Sequence, residues 1–263
     1  MRETHALIES RSFFSRSASL ISPINWLISG WRDFMRCPLP GLLHGAAVAV
    51  FGAALWWWIP DRFWLLGGAF TGFLLVAPVV ATGLYAISRA LERREAAGLV
   101  TALAAWVPGD GRMVIFGLLL ALAGTGWVMT SSALIWAFAA APVITPQDFL
   151  RVVVLADEGW LFEAWLALGG LLAAPVFASS VVAIPMLLDR KVSIMAAVFT
   201  SWRVVMANPA PLALWGAAIA GFTLFGMATG LLAMPVVVPL LGHASWHAYR
   251  ELVGTVAQAE RRD

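Results

Sequence analysis

Three of the four histidines, His44, His243 and His247, fall at one depth of the chain as its apolar runs are laid out, near the inner ends of two of them. Imidazole is the side chain best suited to bind a metal or exchange protons near neutral pH. His243 and His247 stand at i, i+4, which places both on one helix face, a spacing that metal ligands often use. Zinc or haem held by these three is the sharp reading, and otherwise no cofactor is expected. No Cys, Asp or Glu lies beside them in sequence to complete a tetrahedral set, so anchoring at headgroup depth, with hydrogen bonds to hydroxyls such as Ser245, lipid or water, is the plainer one.

Other chemistry-bearing groups are sparse. All fifteen acids fall between apolar runs or at their ends, Glu163 being the deepest, which argues against proton-coupled transport. The mid-run polar residues are small hydroxyls that can bond their own helix. Of these, Ser131, Ser132, Ser179 and Ser180 are the candidates for a polar lining, should a solute path exist. Cys37 is the only cysteine, which excludes an internal disulfide and a thiolate cluster. There is no G-x-S-x-G, phosphate loop, H-E-x-x-H or dinucleotide fingerprint, so an enzyme is not expected.

The elements that must position these residues are read from hydropathy. The chain is 61% hydrophobic and 12% charged over 263 residues, with a mean hydropathy of +0.84. A water-soluble protein of this length has too little interior for that much apolar surface. The reading is an all-α, polytopic transmembrane bundle of about six spans, arranged as three hairpins. Five runs end cleanly or at a turn: Gly41–Ile59, Phe63–Ile87, Met113–Ala140, Trp160–Leu188, and a stretch from Pro209 to Tyr249 without Asp, Glu, Lys or Arg. That last stretch would be about 62 Å long as one helix, twice the hydrocarbon thickness, so it reads as two spans turning between Thr229 and Pro235.

Of the 17 Lys and Arg, fifteen fall on one side of this layout and only Arg62 and Arg151 on the other. The positive-inside rule makes that side cytoplasmic, with both termini there and the chain in a bacterial inner membrane. The net charge of +2 is therefore an orientation signal, and no nucleic-acid partner is expected. Tryptophans at both ends of the runs read as headgroup belts: Trp56, Trp57, Trp58, Trp64, Trp136 and Trp160 outside; Trp26, Trp31, Trp106, Trp202 and Trp246 inside. Thr145-Pro146-Gln147-Asp148 is a helix start in the one sizeable outer loop, predicting a short helix resting on the bilayer surface.

Self-similarity is the most specific signal. Trp31, Arg32, Met35, Pro38 and Pro40 recur as Trp202, Arg203, Met206, Pro209 and Pro211, within nine identities at one ungapped offset of 171. Tyr85 and Arg89 likewise correspond to Trp246 and Arg250. A fainter middle copy has Leu99, Leu103 and Trp106 before its spans and Pro185 late in the second. The units run about 20–90, 91–190 and 191–253, within a membrane domain 20–253 flanked by a flexible segment 1–19, with no cleaved leader expected, and a tail 254–263. Each unit reads as a cytoplasmic amphipathic helix, a Pro break and a two-span hairpin. The stripes Leu27, Trp31, Phe34, Met35 and Val198, Trp202, Val205, Met206 would lie in the interface, with Arg32 and Arg203 reaching phosphates, and three units allow a pseudo-threefold ring. Gly41-x-x-x-Gly45, Gly68-x-x-x-Gly72 and Gly226-x-x-x-Gly230 permit close helix contact.

With Trp31-Arg32 before Pro38-x-Pro40, Pro185-Met186-Leu187-Leu188-Asp189-Arg190, and the string from Pro239 through His243, Trp246 and His247 to Arg250, the chain resembles a bacterial family of predicted integral membrane proteins, domain of unknown function 2189, over roughly residues 20–253. The resemblance implies a helical membrane protein and carries no catalytic residue. A cytochrome oxidase label attached to some members does not suit a chain with so few intramembrane histidines. The functional expectation is a non-catalytic scaffold or accessory subunit for other membrane proteins, a respiratory complex among them. The alternative is a small-solute permease or channel between the three hairpins.

Overall fold

The computed structural model describes residues 2–58, 81–105, 111–156 and 159–255. In chain order the elements are α1 Arg2–Arg11, β1 Phe13–Ser15, α2 Ser22–Arg36, α3 Pro38–Trp58, α4 Thr82–Glu92, α5 Leu99–Ala104, α6 Gly111–Phe138, α7 Pro146–Phe149, a π-helical turn Leu150–Val154, α8 Trp160–Ser180, α9 Ala183–Asp189, α10 Ile194–Ala207, α11 Pro209–Ala228, α12 Met234–Leu252 and β2 Val253–Thr255. The fold is all-α apart from one two-stranded ribbon, β1 with β2. Among the described residues, four stretches are long and apolar enough to cross a membrane: Pro38–Leu55, Gly111–Phe138, Trp160–Asp189 and Pro209–Ala228. They coincide with the first, third, fourth and fifth runs of the sequence. Most of the second run, Pro60 to Arg62, Trp64, Gly68-x-x-x-Gly72, Trp106, Gly109 and 256–263 lie outside the described residues, as do the side chains of Trp56 and Trp58. The sixth run forms α12, which is less apolar than the other four because it carries His243, His247, Arg250 and Glu251.

Proline sets the two sharpest bends. The residue before Pro is driven out of the α region, and Cys37 (φ −141°, ψ 67°) and Asn208 (φ −133°, ψ 52°) take nearly the same non-helical geometry before Pro38 and Pro209. Pro38 and Pro209 then open α3 and α11, where a missing N–H costs nothing. The expected turn within the last stretch without Asp, Glu, Lys or Arg is found at Thr229–Ala233, with Gly230 at φ +62° and Leu231 at φ +71°. The fourth run breaks between α8 and α9, where the hydroxyl of Ser201 on α10 accepts from the Val182 N–H at 3.2 Å.

Contacts divide the chain into two compact units. The first comprises Met1–Val50, Pro78–Phe116 and Ala178–Asp263. Its centre is α4, α9 and α12 packed on one another, with Leu84, Ile87, Ile184, Met186, Trp246, Tyr249 and Leu252 buried among them. Around this triad α2 packs along α12, α5 on α4, and α10 on α9. Close approach is made by glycine: a Cβ at Gly30 of α2 would stand within 3 Å of the Ala244 backbone, and one at Gly45 would collide with the backbone of Met234 and Pro235. Trp26 and Trp246, read from sequence as belt residues, are instead buried core. Trp26 meets Trp215 edge-on at 5.6 Å. Trp31 and Trp202 do remain exposed.

Within the segment 1–19, expected to be flexible, Arg2–Arg11 and Phe13–Ser15 form α1 and β1. Helix α1 lies on α10, where Glu9 accepts from the Ser193 N–H and hydroxyl at the α10 N-terminus, and β1 joins β2. The polar, Ser-rich composition suggested disorder because the partners that order it lie some 190 residues away.

The second unit comprises Phe51–Ala77 and Gly117–Phe177. The expected loop helix is present as α7 and its π turn. Thr145 Oγ1 accepts from the Asp148 N–H at 3.2 Å, and Asp148 Oδ2 accepts from the Thr145 N–H at 2.8 Å and the Ile144 N–H at 3.1 Å, a reciprocal cap. The Thr145 hydroxyl, which donates to Asp148 Oδ2 at 2.8 Å, and then the Thr145 and Ile144 N–H groups hold the exposed Asp148 carboxyl below its ordinary pKa. The helix does not merely rest on a surface: Val153 is fully buried with Ile135, Val143 and Leu161.

Candidate functional site

Two of the three histidines converge, on a carboxylate that the sequence gave no reason to place there. Asp33 on α2 receives the Ser88 hydroxyl of α4 at 2.8 Å and His247 Nε2 of α12 at 2.7 Å, both on Oδ2. His243 Nδ1 stands 2.8 Å from the same Ser88 oxygen. Proton counting fixes the directions. An ionised carboxylate only accepts, so the single Ser88 proton goes to Asp33 and Ser88 must accept from His243. The chain therefore runs His243 Nδ1–H to Ser88 O–H to Asp33, with His247 Nε2–H donating to Asp33 from the other side.

Asp33, Ser88 and His243 are buried, and only the His247 side chain, 27% exposed, reaches the edge. Burial opposes ionisation of Asp33, but the bonds from His247 and Ser88 outweigh it and hold the carboxyl below its usual range. The junction ties α2, α4 and α12 together.

His44 does not join it. Its Nδ1 lies 2.7 Å from the Pro40 carbonyl oxygen, one turn back on its own helix, and its Nε2 fills the space that a Cβ on Gly83 would need. Among the described residues no group of three or more His, Cys, Asp or Glu is placed to hold a metal ion. The imidazole spacing read as a ligand pattern is used for hydrogen bonding between helices.

A second polar cluster closes the ends of α4, α9 and α12. Asp189, its side chain only 3% exposed, receives the Tyr249 hydroxyl at 2.9 Å and Arg93 at 3.1 Å, and forms ion pairs with Arg190 Nε at 3.1 Å and Arg250 at 3.7 Å. Arg250 also donates twice to Glu92 Oε1, at 3.0 and 2.8 Å, while Trp246 Nε1 donates to Glu92 Oε2 at 3.2 Å. Repeat positions Trp246 and Arg250 thus lock α12 onto α4. Sequence reading placed these arginines at helix ends but had no signal for their acidic partners.

The two W-R pairs part ways. Trp31 and Arg32 are both exposed on α2. Trp202 Nε1 donates to Ser179 Oγ at 2.9 Å, and the Arg203 guanidinium donates to the carbonyls of Ser10 and Phe13 rather than pointing at phosphates. Asn208, at the position of Cys37, is fully occupied: Oδ1 accepts from the Ala18 N–H at 2.7 Å, and Nδ2 donates to Ser15, Arg16 and Val204 oxygens. Pro40 and Pro211 follow within the first turns of α3 and α11.

Two of the serines proposed as a lining, Ser131 and Ser179, are similarly engaged. Ser131 Oγ accepts from Trp165 Nε1 at 2.7 Å, as Ser179 does from Trp202. Ser131 and Ser132 belong to the second unit, Ser179 and Ser180 to the first. Thr130 and Thr223 bond the carbonyl one turn back, at 2.7 Å each.

Glycines sort into two kinds. Gly41 and Gly45 touch other parts of the chain, Gly226 faces the Met234 side chain, and Gly230 serves the turn. Gly126 on α6, Gly170 on α8 and Gly221 on α11 face open space, with nothing within 4 Å of an added Cβ. On α8, Ala167, Gly170 and Ala174 share one exposed helix face.

No curated protein and no solved structure matches the chain. The family resemblance is borne out over a central span that holds Pro185 to Asp189 and leaves the Trp31 and Pro239 strings outside it: residues 65–189 match the family described as "predicted integral membrane protein", domain of unknown function 2189.

Proposed function

We propose that this multi-pass membrane protein is a non-catalytic scaffold or accessory subunit, which holds another membrane protein against the small-residue face of α8. The observation that carries this reading is the row Ala167, Gly170, Ala174, exposed along a helix apolar enough to cross the bilayer and, at Gly170, with none of the described residues within 4 Å of where a Cβ would stand. Between helices in lipid there is no hydrophobic driving force, and small residues that let backbones approach supply the packing instead. The buried carboxylates of the first unit, Asp33 and Asp189, are taken up by internal bonds, which favours a scaffold over a small-solute permease.

The same reading places the chain in a bacterial inner membrane with both termini cytoplasmic, supported by the fifteen-to-two division of basic residues. It also takes the chain as three repeats. Support comes from the matched backbone at Cys37 and Asn208, and from a packing order in which each interfacial helix leans on the hairpin end of the preceding unit: α5 on α4, α10 on α9, and α2, closing the circle, on α12.

The test is mild detergent extraction of the tagged full chain beside its Gly170→Ile variant, with identification of proteins that co-purify. A partner recovered with the wild type and lost at least about tenfold with a folded, monodisperse variant supports the scaffold, tenfold being about 1.4 kcal/mol of interface. Equal recovery of every protein by both chains overturns it, and solute uptake by the purified protein in liposomes would move the assignment to the permease.

A further inference from the structure

Helix α2 has three distinct faces. Ser22, Trp26, Gly30 and Asp33 are buried. Ile24, Ile28, Trp31 and Met35 form an exposed apolar stripe at i, i+4, i+7 and i+11, each 45–57% open, preceded by exposed Leu20 and followed on α3 by exposed Leu39 and Leu42. Between these two faces runs a polar edge of Asn25, Ser29, Arg32 and Arg36, with Arg36 65% exposed and only a long 3.9 Å approach to Asp33. Among the described residues Arg32 makes no ion pair. The apolar stripe continues without interruption onto Pro38–Leu55, a stretch fit to cross a bilayer, so lipid is the medium that covers both.

An apolar stripe edged by cations is the surface that a membrane interface fits: acyl chains against the stripe, phosphates against the guanidiniums, which snorkel from a partly buried stem. We propose that α2 is a binding surface for anionic phospholipid headgroups, with Arg32 and Arg36 as the phosphate-contacting residues. Arg203, at the position of Arg32 in the second W-R-x-x-M segment, has no such role, because its guanidinium is bonded to the carbonyls of Ser10 and Phe13. One half of the sequence repeat is thus a lipid contact and the other an internal clamp.

The full chain, reconstituted in phosphatidylcholine vesicles with trace spin-labelled phosphatidylglycerol or spin-labelled phosphatidylcholine, reports the preference as the ratio of motionally restricted label. The expected result is enrichment of phosphatidylglycerol that falls with salt and drops several-fold, up to roughly fivefold for each arginine removed, in Arg32→Gln and in the double variant with Arg36→Gln. Arg32→Lys retains most of it. Arg203→Gln, checked for an unchanged melting temperature or replaced by Arg203→Lys if it fails to fold, leaves it unaltered. An absent preference, one indifferent to Arg32 and Arg36, or one that Arg203→Lys abolishes overturns the proposal. So does a photo-crosslinker at Ile28 that labels protein rather than lipid in native membranes.

Discussion

The junction at Asp33 is where single atoms decide the fold. One carboxylate oxygen accepts from a hydroxyl and an imidazole on two different helices, and that hydroxyl relays a third helix position through His243. Bonds to a charged acceptor are stronger than neutral ones, and a buried network of this kind stabilises only when every member is satisfied. Replacing Asp33 with Asn turns both bonds on that oxygen from charge-assisted into neutral ones and leaves His247 without its anion, a loss of about 1–3 kcal/mol. The pH dependence has a definite sign. A carboxyl whose folded pKa lies below the unfolded value of about 3.9 contributes stability above that value and loses it as pH falls through the folded one. Thermal denaturation in detergent should show Asp33→Asn melting below wild type at pH 7, with the gap narrowing below pH 4. Parallel curves from pH 7 to pH 3 would mean that Asp33 is not an ionised partner in the folded state. None of this was legible beforehand, because His247 and Asp33 are 214 residues apart and neither is flanked by a motif. The i, i+4 histidine pair was visible, and its shared helix face was read correctly.

At the scale of elements, local chemistry was legible and contact faces were not. Pro38 and Pro209 announce helix starts, and Thr145 with Asp148 announces a cap, because each effect acts within a turn of its own residue. Which side of a helix meets protein and which meets lipid is harder to read when both are apolar, so hydropathy alone could not tell buried Trp26 from exposed Trp31, five residues on. Glycine draws the same distinction more sharply. Gly30→Ala would push a Cβ within 3 Å of the Ala244 backbone, which cannot yield as a flexible side chain would, whereas Gly170→Ala meets nothing. Overpacking of this kind costs about 1–3 kcal/mol, while Ala for Gly in an open helix is neutral to stabilising by up to about 1 kcal/mol. Melting temperatures of the two variants should therefore move apart, Gly30→Ala falling and Gly170→Ala holding or rising. A tolerated Gly30→Ala would show that α2 can stand off from α12.

Segments near both ends of the chain meet within the first unit. The ribbon that pairs Phe13 with Thr255 brings the two ends of the chain side by side, and α2 then fills on α12 the place that α5 and α10 fill on their sequence neighbours α4 and α9. On the proposed reading of three repeats packed in a circle, no junction is special, and the natural chain order is one of several ways to cut it. Residues Glu95 and Ala96, exposed between α4 and α5, mark an equivalent junction on the side assigned to the cytoplasm. A permutant that opens there and joins the natural ends through a short linker keeps every hairpin and reverses no span. It should insert into the membrane and melt within about 5 °C of the parent, the shift expected from a change of about 1 kcal/mol or less. The ribbon would then become a loop inside the chain, and α5 would become its first interfacial helix. If the permutant inserts but melts far lower, the closing contact of α2 on α12 depends on the natural chain order. The three units would then be a sequence resemblance without equivalence in the fold.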